Sequence, residues 1–390
     1  MKIVFVNRFF HPDLAPTGLL AADVAFDLAA AGHEVHAVTS RLAYDGGRAY
    51  AGQETARGVR VHRVWTTRFG RRFLPGRALD YASFYVFATL ALLRLLREGD
   101  VVVAKTDPPL LSVCAALAAR LRGATLVNWL QDVFPETAGR AGMRWAAGPL
   151  GRVARRLRDW SVRRAALNVV PGRRMEEELR FLVPGARVRV IANWADGRAV
   201  RPVAGARRGE FVVGYSGNLG RVHDCATLLA AARALAGEAG VRFTFTGGGF
   251  HFDRLRAAGL PNLAIRDYVP ADRLAESLAA SDVHLVTLLP DFEGLVVPSK
   301  FYALAAAGRA VIFVGAADGE IARLVAASGC GVTVAPGDGA GLAKAILELR
   351  DAPDRRRVME ERARRAFEAE WDKPIALARW REAIAGLARA

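Results

Sequence analysis

A carboxylate and an ammonium flank a short apolar turn in the segment DFEGLVVPSK. Glu293 can accept hydrogen bonds from sugar hydroxyls, and Lys300 can neutralise a phosphate. Pro298 and Ser299 predict the start of a helix with Ser299 as its N-cap, which places Lys300 in the first turn. A cation there opposes the helix dipole unless an anion binds beside it. The alternative is a solvated glutamate and a lysine whose stem covers apolar neighbours.

Two glycine-rich segments have the composition of phosphate-binding loops. In YSGNLGRVHD, Gly217 and Gly220 let backbone amides approach a ligand closely, and Arg221 and His223 could add charge. The segment FTGGGFH places glycines at 247–249 directly after an apolar strand. A phosphate ligand would explain both loops, and so would ordinary strand-to-helix turns.

The size and charge of the chain limit the classes of function. Its 390 residues are enough for two α/β domains. With 55 basic and 39 acidic residues, the net charge of +16 favours anionic partners, such as nucleotides, lipid headgroups or nucleic acid. Cys114, Cys225 and Cys330 lie far apart, which predicts neither a disulfide framework nor a metal site.

The N-terminal segment predicts no targeting signal. Arg8 interrupts the first apolar run too early for a signal peptide. The longest uncharged apolar stretch, residues 81–93, is shorter than the roughly 20 residues of a membrane-spanning helix. We therefore expect a cytoplasmic protein without a transmembrane segment.

Strand-like and helix-like patterns alternate along the chain, as in KIVFV, AADVAFDLAAAGH and EVHAVTS. A second series begins at EFVVGYSGNLG, and the polar segment 193–210 separates the two. This pattern predicts an α/β protein with two Rossmann-like domains that face each other across a cleft. The expected domains are 1–195 and 196–372, with the last helix, 373–390, packing back on the first. Ligands bind at the carboxyl ends of parallel strands, so the loops after strands are the candidate sites.

The whole chain resembles glycosyltransferase family 4, the retaining nucleotide-sugar transferases of GT-B fold, and most closely the subgroup that builds bacterial surface polysaccharides. The resemblance rests on the order of several segments, among them PTGLLAADVAFDLAAAGHEVHAVTS, LVNWLQDVFPETA, VVGYSGNLGRVHDCATLL and EGLVVPSKFYALAAAGRAVI. It implies that the C-terminal domain binds a UDP- or GDP-sugar donor and the N-terminal domain binds the acceptor.

The resemblance also assigns roles to particular residues of the second domain. Glu293 matches the first glutamate of the family's pair, which contacts the donor sugar, whereas Ala303 replaces the second, which usually holds the ribose. Asn218 and His223 stand where the family has an arginine and a lysine, and we expect Arg221 and Lys300 to replace those cations. The full set of expected donor-binding residues is Gly217, Asn218, Arg221, His223, Gly248, Tyr268, Val297, Ser299, Lys300 and Glu320.

In the first domain, Thr17 and Gly18 match the family's glycine-containing loop before the first helix, which would face the diphosphate and the acceptor. The segment NWLQD corresponds to a His-Asp pair of the family, with Gln131 in the place of the histidine. Asp132 is then expected to lie nearest the reacting sugar, as a catalytic residue beside Glu293. Capping of the following turn is an alternative role for Asp132.

The resemblance implies transfer with retention of anomeric configuration, by front-face attack in which the leaving phosphate takes the acceptor's proton. The main task of such a site is to stabilise the departing diphosphate with amides and fixed cations. The sequence shows no Asp-x-Asp loop and no histidine cluster, so we expect no metal and no other cofactor.

Two basic segments indicate a membrane surface as a partner. Residues 68–96 combine Arg68, Arg71, Arg72 and Arg77 with an apolar, aromatic helix, and residues 144–165 mix arginines with Trp145, Leu150, Leu157 and Trp160. Basic amphipathic segments suit the anionic inner face of the cytoplasmic membrane, where a polyprenyl-diphosphate-linked saccharide would be the acceptor. The alternative is a solvated charged face with aromatic residues turned to the core.

Two other functions fit parts of the sequence. A basic nucleic-acid-binding protein would fit the charge, but we recognise no nucleic-acid-binding module, so we expect no nucleic acid partner. A sugar-nucleotide epimerase of the same fold would convert the donor in the absence of an acceptor.

Overall fold

The computed structural model describes residues 1–44, 49–70, 74–203 and 209–387. The chain divides into two compact units. Unit 1 comprises Met1–Ile191 and Leu377–Ala390, and unit 2 comprises Ala192–Ala376. Each unit is an α/β structure built on one sheet.

Unit 1 contains an eight-stranded sheet in the order β3-β4-β2-β1-β5-β6-β7-β8. Every pairing is parallel except that of β3 with β4. The strands are β1 (Lys2–Val6), β2 (Glu34–Ser40), β3 (Gln53–Ala56), β4 (Val59–Val64), β5 (Val101–Lys105), β6 (Thr125–Trp129), β7 (Leu167–Val170) and β8 (Val188–Val190). The helices are α1 (Pro16–Ala30), α2 (Leu74–Leu95), α3 (Leu111–Arg122), α4 (Glu136–Arg140), α5 (Pro149–Arg164) and α6 (Arg173–Leu182).

Unit 2 contains a six-stranded parallel sheet in the order β11-β10-β9-β12-β13-β14. Its strands are β9 (Phe211–Asn218), β10 (Val241–Gly248), β11 (Leu263–Arg266), β12 (Val283–Thr287), β13 (Ala310–Val314) and β14 (Gly331–Val334). Its helices are α7 (Cys225–Ala234), α8 (Phe252–Ala257), α9 (Leu274–Ala279), α10 (Lys300–Ala306), α11 (Glu320–Ser328), α12 (Gly339–Asp351) and α13 (Pro353–Ala366). The order reverses between β9 and β12, which is where open α/β sheets bind ligands.

The two ends of unit 2 meet at the isolated bridge between Ala195 and Asp372, beside a hydrogen bond from the Gly197 amide to the Asp372 carboxylate. The last helix, α14 (Lys373–Leu387), then lies mainly in unit 1. There Trp380 packs against Trp129 with ring centroids 4.3 Å apart. The described part of the segment expected to be a polar linker is therefore anchored to unit 2, and residues 204–208 lie outside the described residues.

The expected α/β class with two parallel-sheet domains of the Rossmann type is confirmed, but one helix begins earlier than expected. Helix α1 starts at Pro16, and proline is well suited to a first helical position because it needs no amide partner there. Thr17 and Gly18 therefore lie in the first turn of α1 and not in a loop that precedes it.

Helix α2 is longer than the uncharged stretch in the sequence, because it continues through Arg77 and Asp80. Its segment Pro75–Leu95 is the one stretch in the described residues that is long and apolar enough to cross a membrane by length and composition. A core helix passes the same test, and Phe84, Ala88 and Leu92 are fully buried in the core of unit 1. Only 22% of the apolar window is buried, and one such helix is weak evidence for a membrane span.

Candidate active site

Two glycine-rich loops lie at the carboxyl ends of β9 and β10, which are neighbouring strands of unit 2, and hold each other in place. A side chain on Gly247 would meet the carbonyl oxygen of Gly217 at 2.4 Å, and one on Gly249 would meet the Asn218 Oδ1 atom at 2.2 Å. The Leu219 amide donates to the Gly248 carbonyl at 2.8 Å, which joins the loops. Packing of one loop on the other thus explains Gly247 and Gly249 without a ligand.

Gly217 differs, because the neighbour that a side chain there would meet is Lys300. Its φ of +110° favours glycine, and an added Cβ would lie 3.9 Å from the Lys300 Nζ atom. The ammonium donates to the Tyr215 hydroxyl and, at 3.3 Å, to the carbonyl of Asn218. It also lies 3.7 Å from the centre of the Tyr215 ring. The structure thus brings the predicted residues Gly217, Asn218 and Lys300 together.

The Lys300 charge is not balanced within the described part of the chain. Burial lowers the pKa of Lys300 well below its usual value, and no carboxylate lies near enough to oppose that shift. A desolvated cation of this kind costs free energy until an anion binds. The arrangement therefore has the chemistry of an anion site.

Two further predicted residues lie beside this loop, but only one can carry charge. The Arg221 guanidinium stacks 3.6 Å from the centre of the exposed Phe250 ring. His223 is buried, and its Nδ1 atom donates to the Thr287 carbonyl at 2.6 Å. Burial, together with the charge of Lys300, lowers the pKa of His223 to about 3. The suggestion that His223 adds charge was therefore wrong, because the ring stays neutral at physiological pH.

The segment before α10 corrects a second expectation. Ser299 occupies the N-cap position of α10, but its side chain makes no capping hydrogen bond and its backbone is already helical. Val297 is buried, so its side chain is not available to a ligand. The anion-binding character of this segment therefore rests on the Lys300 side chain.

Glu293 lies at the start of α11, against Gly319 and Glu320. Its Oε2 atom accepts from the Glu320 amide at 3.2 Å. A side chain on Gly319 would approach the Glu293 Oε1 atom to 2.2 Å, so only glycine permits this contact. The amide and the helix dipole together stabilise the carboxylate. Glu320 itself is buried at the first position of the helix.

Tyr268 and Gly248 meet at the edge of the same sheet. The Tyr268 side chain is 62% exposed, and its Cε2 atom would lie 3.1 Å from a Cβ on Gly248. An exposed aromatic ring held against a backbone presents a flat surface on which a planar group can stack.

In unit 1, Thr17 and Gly18 occupy the first turn of α1 close to the end of β1. The Thr17 hydroxyl accepts from the Asn7 side-chain amide at 3.3 Å. An added Cβ on Gly18 would meet the backbone of Phe9 at 3.0 Å, so close packing of helix on strand end accounts for this glycine. The structure thus gives Gly18 a packing role.

Asp132 follows β6, beside the end of β5. Its Oδ1 atom is buried and has no hydrogen-bond partner among the described residues. Burial and the nearby charge of Asp107 together raise the pKa of Asp132 to about 6, against the lowering effect of a hydrogen bond from Thr106. A carboxyl group that titrates close to neutrality is a common property of catalytic positions.

Comparison with known proteins identifies the chain's family. Residues 20–194 match the Glycosyl transferase 4-like domain, and residues 210–351 match the Glycosyl transferases group 1 domain. The chain belongs to the family 4-type glycosyltransferases. Named relatives of this glycosyltransferase include the glycosyltransferase WbjE of Pseudomonas aeruginosa, 34% identical over 65% of this chain and 66% of that protein. WcaI of Escherichia coli strain K12, named as a colanic acid biosynthesis glycosyl transferase, is 25% identical over 95% of this chain and 97% of that protein.

Solved structures show that the glycosyltransferase has the GT-B fold. One of them is Anabaena HepE in complex with UDP-glucose, with a TM-score of 0.71 and 16% sequence identity. That comparison covers 99% of this chain and 100% of the other. At this identity the likeness is evidence for the fold alone.

Sequence reasoning missed two residues and one contact that shape the candidate site. Tyr215 looks like an ordinary strand residue, yet its hydroxyl accepts from Lys300. Phe250 follows the glycine run and supports Arg221. The third is the close contact between Gly319 and Glu293. The exposed aromatic residue directly after three glycines was the one available signal, since the other two contacts join segments far apart in sequence.

Replacing Lys300 by Met removes the charge and retains most of the stem. Folding lowers the pKa of Lys300, so between its folded-state and unfolded-state pKa values the unfolded chain binds more protons. Keeping the side chain in its folded position therefore costs stability at neutral pH. Lys300→Met should therefore keep or raise Tm. It should weaken the binding of UDP or GDP by roughly 10- to 100-fold, the value of a charge-assisted hydrogen bond. Calorimetric titration and thermal unfolding measure both; unchanged affinity with a lowered Tm would leave Lys300 only a structural role.

Gly319→Ala tests whether the position of Glu293 matters. The new methyl group would displace the carboxylate, and misplacement by about 1 Å can cost roughly 100-fold in rate. We expect kcat for sugar transfer to fall by roughly 10- to 100-fold, with nucleotide affinity nearly unchanged. Gly237→Ala is the control, because a Cβ there meets nothing within 4 Å. Equal kcat in both variants would exclude a catalytic role for the Glu293 contact.

The pKa of Asp132 gives a test with two readouts. The folded-state pKa of about 6 lies above the usual value, so ionisation of Asp132 costs stability as the pH rises through the interval from about 4 to 6. Asp132→Asn should raise Tm at pH 7 but not at pH 4. If the carboxylate acts in catalysis, kcat/KM of the wild type decreases below pH 6, as the carboxylate becomes protonated. The Asn variant should then be much slower, and its kcat/KM should not show this decrease at low pH. A variant that keeps both the wild-type rate and the decrease at low pH would leave Asp132 a structural role alone.

Proposed function

We propose that this glycosyltransferase moves a sugar from a nucleoside diphosphate donor to a lipid-linked saccharide in cell-surface polysaccharide synthesis. The observation that carries the proposal is the unbalanced ammonium of Lys300 under the Gly217 loop. A diphosphate leaving group supplies the charge that this position lacks. HepE, which shares the fold, binds UDP-glucose, and this supports a UDP-sugar as the donor.

The main task of the site is to stabilise the diphosphate as it leaves the donor sugar. The acceptor hydroxyl oxygen bonds to the anomeric carbon, the bond from that carbon to the diphosphate breaks, and the acceptor's proton passes to the departing phosphate. Lys300 and Arg221 would oppose the growing negative charge, and Gly217 leaves room for a phosphate at the loop. Glu293 would orient the donor sugar by accepting from its hydroxyls, and Tyr268 offers a surface for the base.

Retention of anomeric configuration and independence of metal belong to the same proposal. Front-face transfer needs no covalent nucleophile, and the cations of the site can stabilise the leaving group without a metal. Within the described ranges, no group of three or more histidine, cysteine, aspartate or glutamate residues is placed to hold a metal ion. We propose transfer of a hexose as the specific reaction. The name of the relative WcaI, a colanic acid biosynthesis glycosyl transferase, supports a role in polysaccharide synthesis.

A membrane surface is proposed as the place of reaction, on the cytoplasmic side. Helices α2, α3 and α5 lie next to one another on one face of the unit 1 sheet. Each exposes apolar side chains to solvent: Leu79, Val86, Phe87 and Leu90 on α2, Leu117 and Leu121 on α3, and Leu150, Val153 and Leu157 on α5. We call these nine side chains the apolar face of unit 1. A surface of this kind commonly binds a partner or a membrane.

The charge around the apolar face favours an anionic membrane. On α5, Leu150, Val153 and Leu157 form one stripe at helical spacing, and Arg152 and Arg156 are exposed beside it. Apolar side chains flanked by arginines suit a lipid interface with negative headgroups. Two of the arginines expected to contribute to membrane binding, Arg71 and Arg72, lie outside the described residues.

With the enzyme bound at such a membrane surface, a polyprenyl-diphosphate-linked acceptor would reach it there.

The function is tested by incubating the enzyme with UDP- and GDP-sugars in the presence of EDTA, with and without a lipid-linked saccharide. We expect one nucleotide sugar to be consumed only with acceptor present, at a rate that EDTA leaves within about twofold, with the anomeric configuration retained in the product by NMR. Isomerisation of the donor without an acceptor would instead identify an epimerase. Loss of turnover with EDTA, restored by Mg²⁺, would contradict metal independence.

The membrane proposal is tested on α5. Replacing Leu150, Val153 and Leu157 by Ser removes about half or more of the apolar area of this stripe, so binding to vesicles with anionic lipid should fall at least tenfold in a sedimentation assay. Transfer to a short, water-soluble acceptor should be unchanged. The control is the matched substitution Phe181→Ser, since Phe181 is 79% exposed on α6. Equal vesicle binding by the triple variant, the control and the wild type would refute the assignment.

A further inference from the structure

Strand β10 has a polar face that a buried parallel strand does not need. In VRFTFTGG, Phe243 and Phe245 point into the core with α7 and α12, whereas Thr244 and Thr246 point the other way. A parallel sheet is usually apolar on both faces, because helices cover both. The alternation indicates that the second face of β10 contacts solvent or a ligand.

A groove of about 1320 Å³ runs over this second face. Its floor includes Ser216 of β9 and Thr244 and Thr246 of β10, with Gly214 beside Thr244 in the parallel register. Its walls include α9 on one side and α13 on the other. No hydrogen bond is recorded for the three floor hydroxyls within the described part of unit 2, so they are available to a ligand. We call this cavity the sheet groove.

The inner wall of the sheet groove carries a buried acceptor beside a buried donor. His284 is 2% exposed, and its Nε2 atom lies 2.8 Å from the Leu278 carbonyl. A carbonyl only accepts, so Nε2 carries the proton and Nδ1 is an acceptor, and Nδ1 has no partner in the described chain. Burial, with a smaller effect of the Arg309 charge, lowers the pKa of His284 to about 4 although the hydrogen bond to Leu278 acts in the opposite direction. The Arg309 Nε donor is likewise buried without a partner.

The side chains that line the groove carry an excess of positive charge. Its lining contains seven arginines and five carboxylates. Most of the arginines pair with acids or carbonyls, such as Arg242 with Glu210. Arg266 and Arg365 are exposed, and no ion pair or hydrogen bond is recorded for either within the described residues. These two guanidinium groups can therefore bind an anion without first giving up a partner.

We propose that the sheet groove binds a phosphorylated sugar, as a second ligand site of this glycosyltransferase. The floor hydroxyls match the hydroxyls of a sugar, and the two unpaired arginines at the rim match its phosphate. The groove lies over a face of the sheet, whereas the residues proposed for the donor lie at the carboxyl ends of the strands, and Tyr215 contributes to both. It reaches Ser216, directly before Gly217, so an occupant could alter the donor loop. This inference goes beyond the proposed function and does not depend on it.

The test is a calorimetric titration of the full chain with glucose 1-phosphate, in EDTA and with UDP at saturation to occupy the donor site. We expect one binding event, at least tenfold weaker in the double variant Arg266→Glu, Arg365→Glu, and also weaker in Thr244→Val. The matched control is Arg233→Glu, Arg254→Glu, which reverses two exposed charges on α7 and α8, across the sheet from the groove. It should bind as the wild type does, and all variants should keep their Tm within a few degrees.

Several results would overturn the proposal. One is the absence of binding with UDP present, and another is equal weakening in the groove variant and the control, which would show a general charge effect. A third is inorganic phosphate binding as tightly as glucose 1-phosphate, which would mean that the hydroxyl floor is not used. A UDP titration run in parallel keeps this outcome separate from the proposed function, because the donor site can bind UDP whether or not the groove binds a sugar phosphate.

Discussion

The candidate donor site depends on one half-buried cation. The Lys300 ammonium is held against the Tyr215 ring and the Asn218 carbonyl, where it is desolvated and no carboxylate opposes it. An arrangement of this kind costs folding free energy, and natural proteins tend to retain such costs where function requires them. An anion at the Gly217 loop turns the same desolvation into an advantage, because electrostatic attraction is stronger away from water.

The remaining features keep that cation and its surroundings in a fixed position. The parallel sheet brings the ends of β9, β10, β12 and β13 to one edge, and the glycine loops lock together there through Gly247 and Gly249. On the same edge, the start of α11 fixes the carboxylate of Glu293 through the Glu320 amide. Preorganised charges of both signs can then act without rearranging during the reaction, which is the basis of electrostatic catalysis.

The fold and several site residues could be predicted from the sequence, because they follow from local patterns and residue types. Most of the features that could not be predicted depend on contacts between segments far apart in the chain. The alternation of KIVFV-like strands with helices is a local signal and predicted the α/β fold, while the glycines and Lys300 stand out by residue type. The neutral state of His223 was not predictable, because it depends on burial and on the charge of Lys300, which lies far along the chain. The start of α1 at Pro16 was missed because a turn-rich composition and a proline at the first helical position look alike. The polar face of β10 was visible as alternation, but only the fold shows that a groove lies above it.

The most direct measurement is a crystal structure of the chain with bound UDP. The account predicts that a phosphate oxygen lies about 3 Å from the Lys300 Nζ atom, with the Gly217 amide facing the same phosphate. It also predicts that the uracil ring lies near Tyr268. Phosphates bound elsewhere, with the Lys300 ammonium still held only by Tyr215 and Asn218, would contradict the central claim.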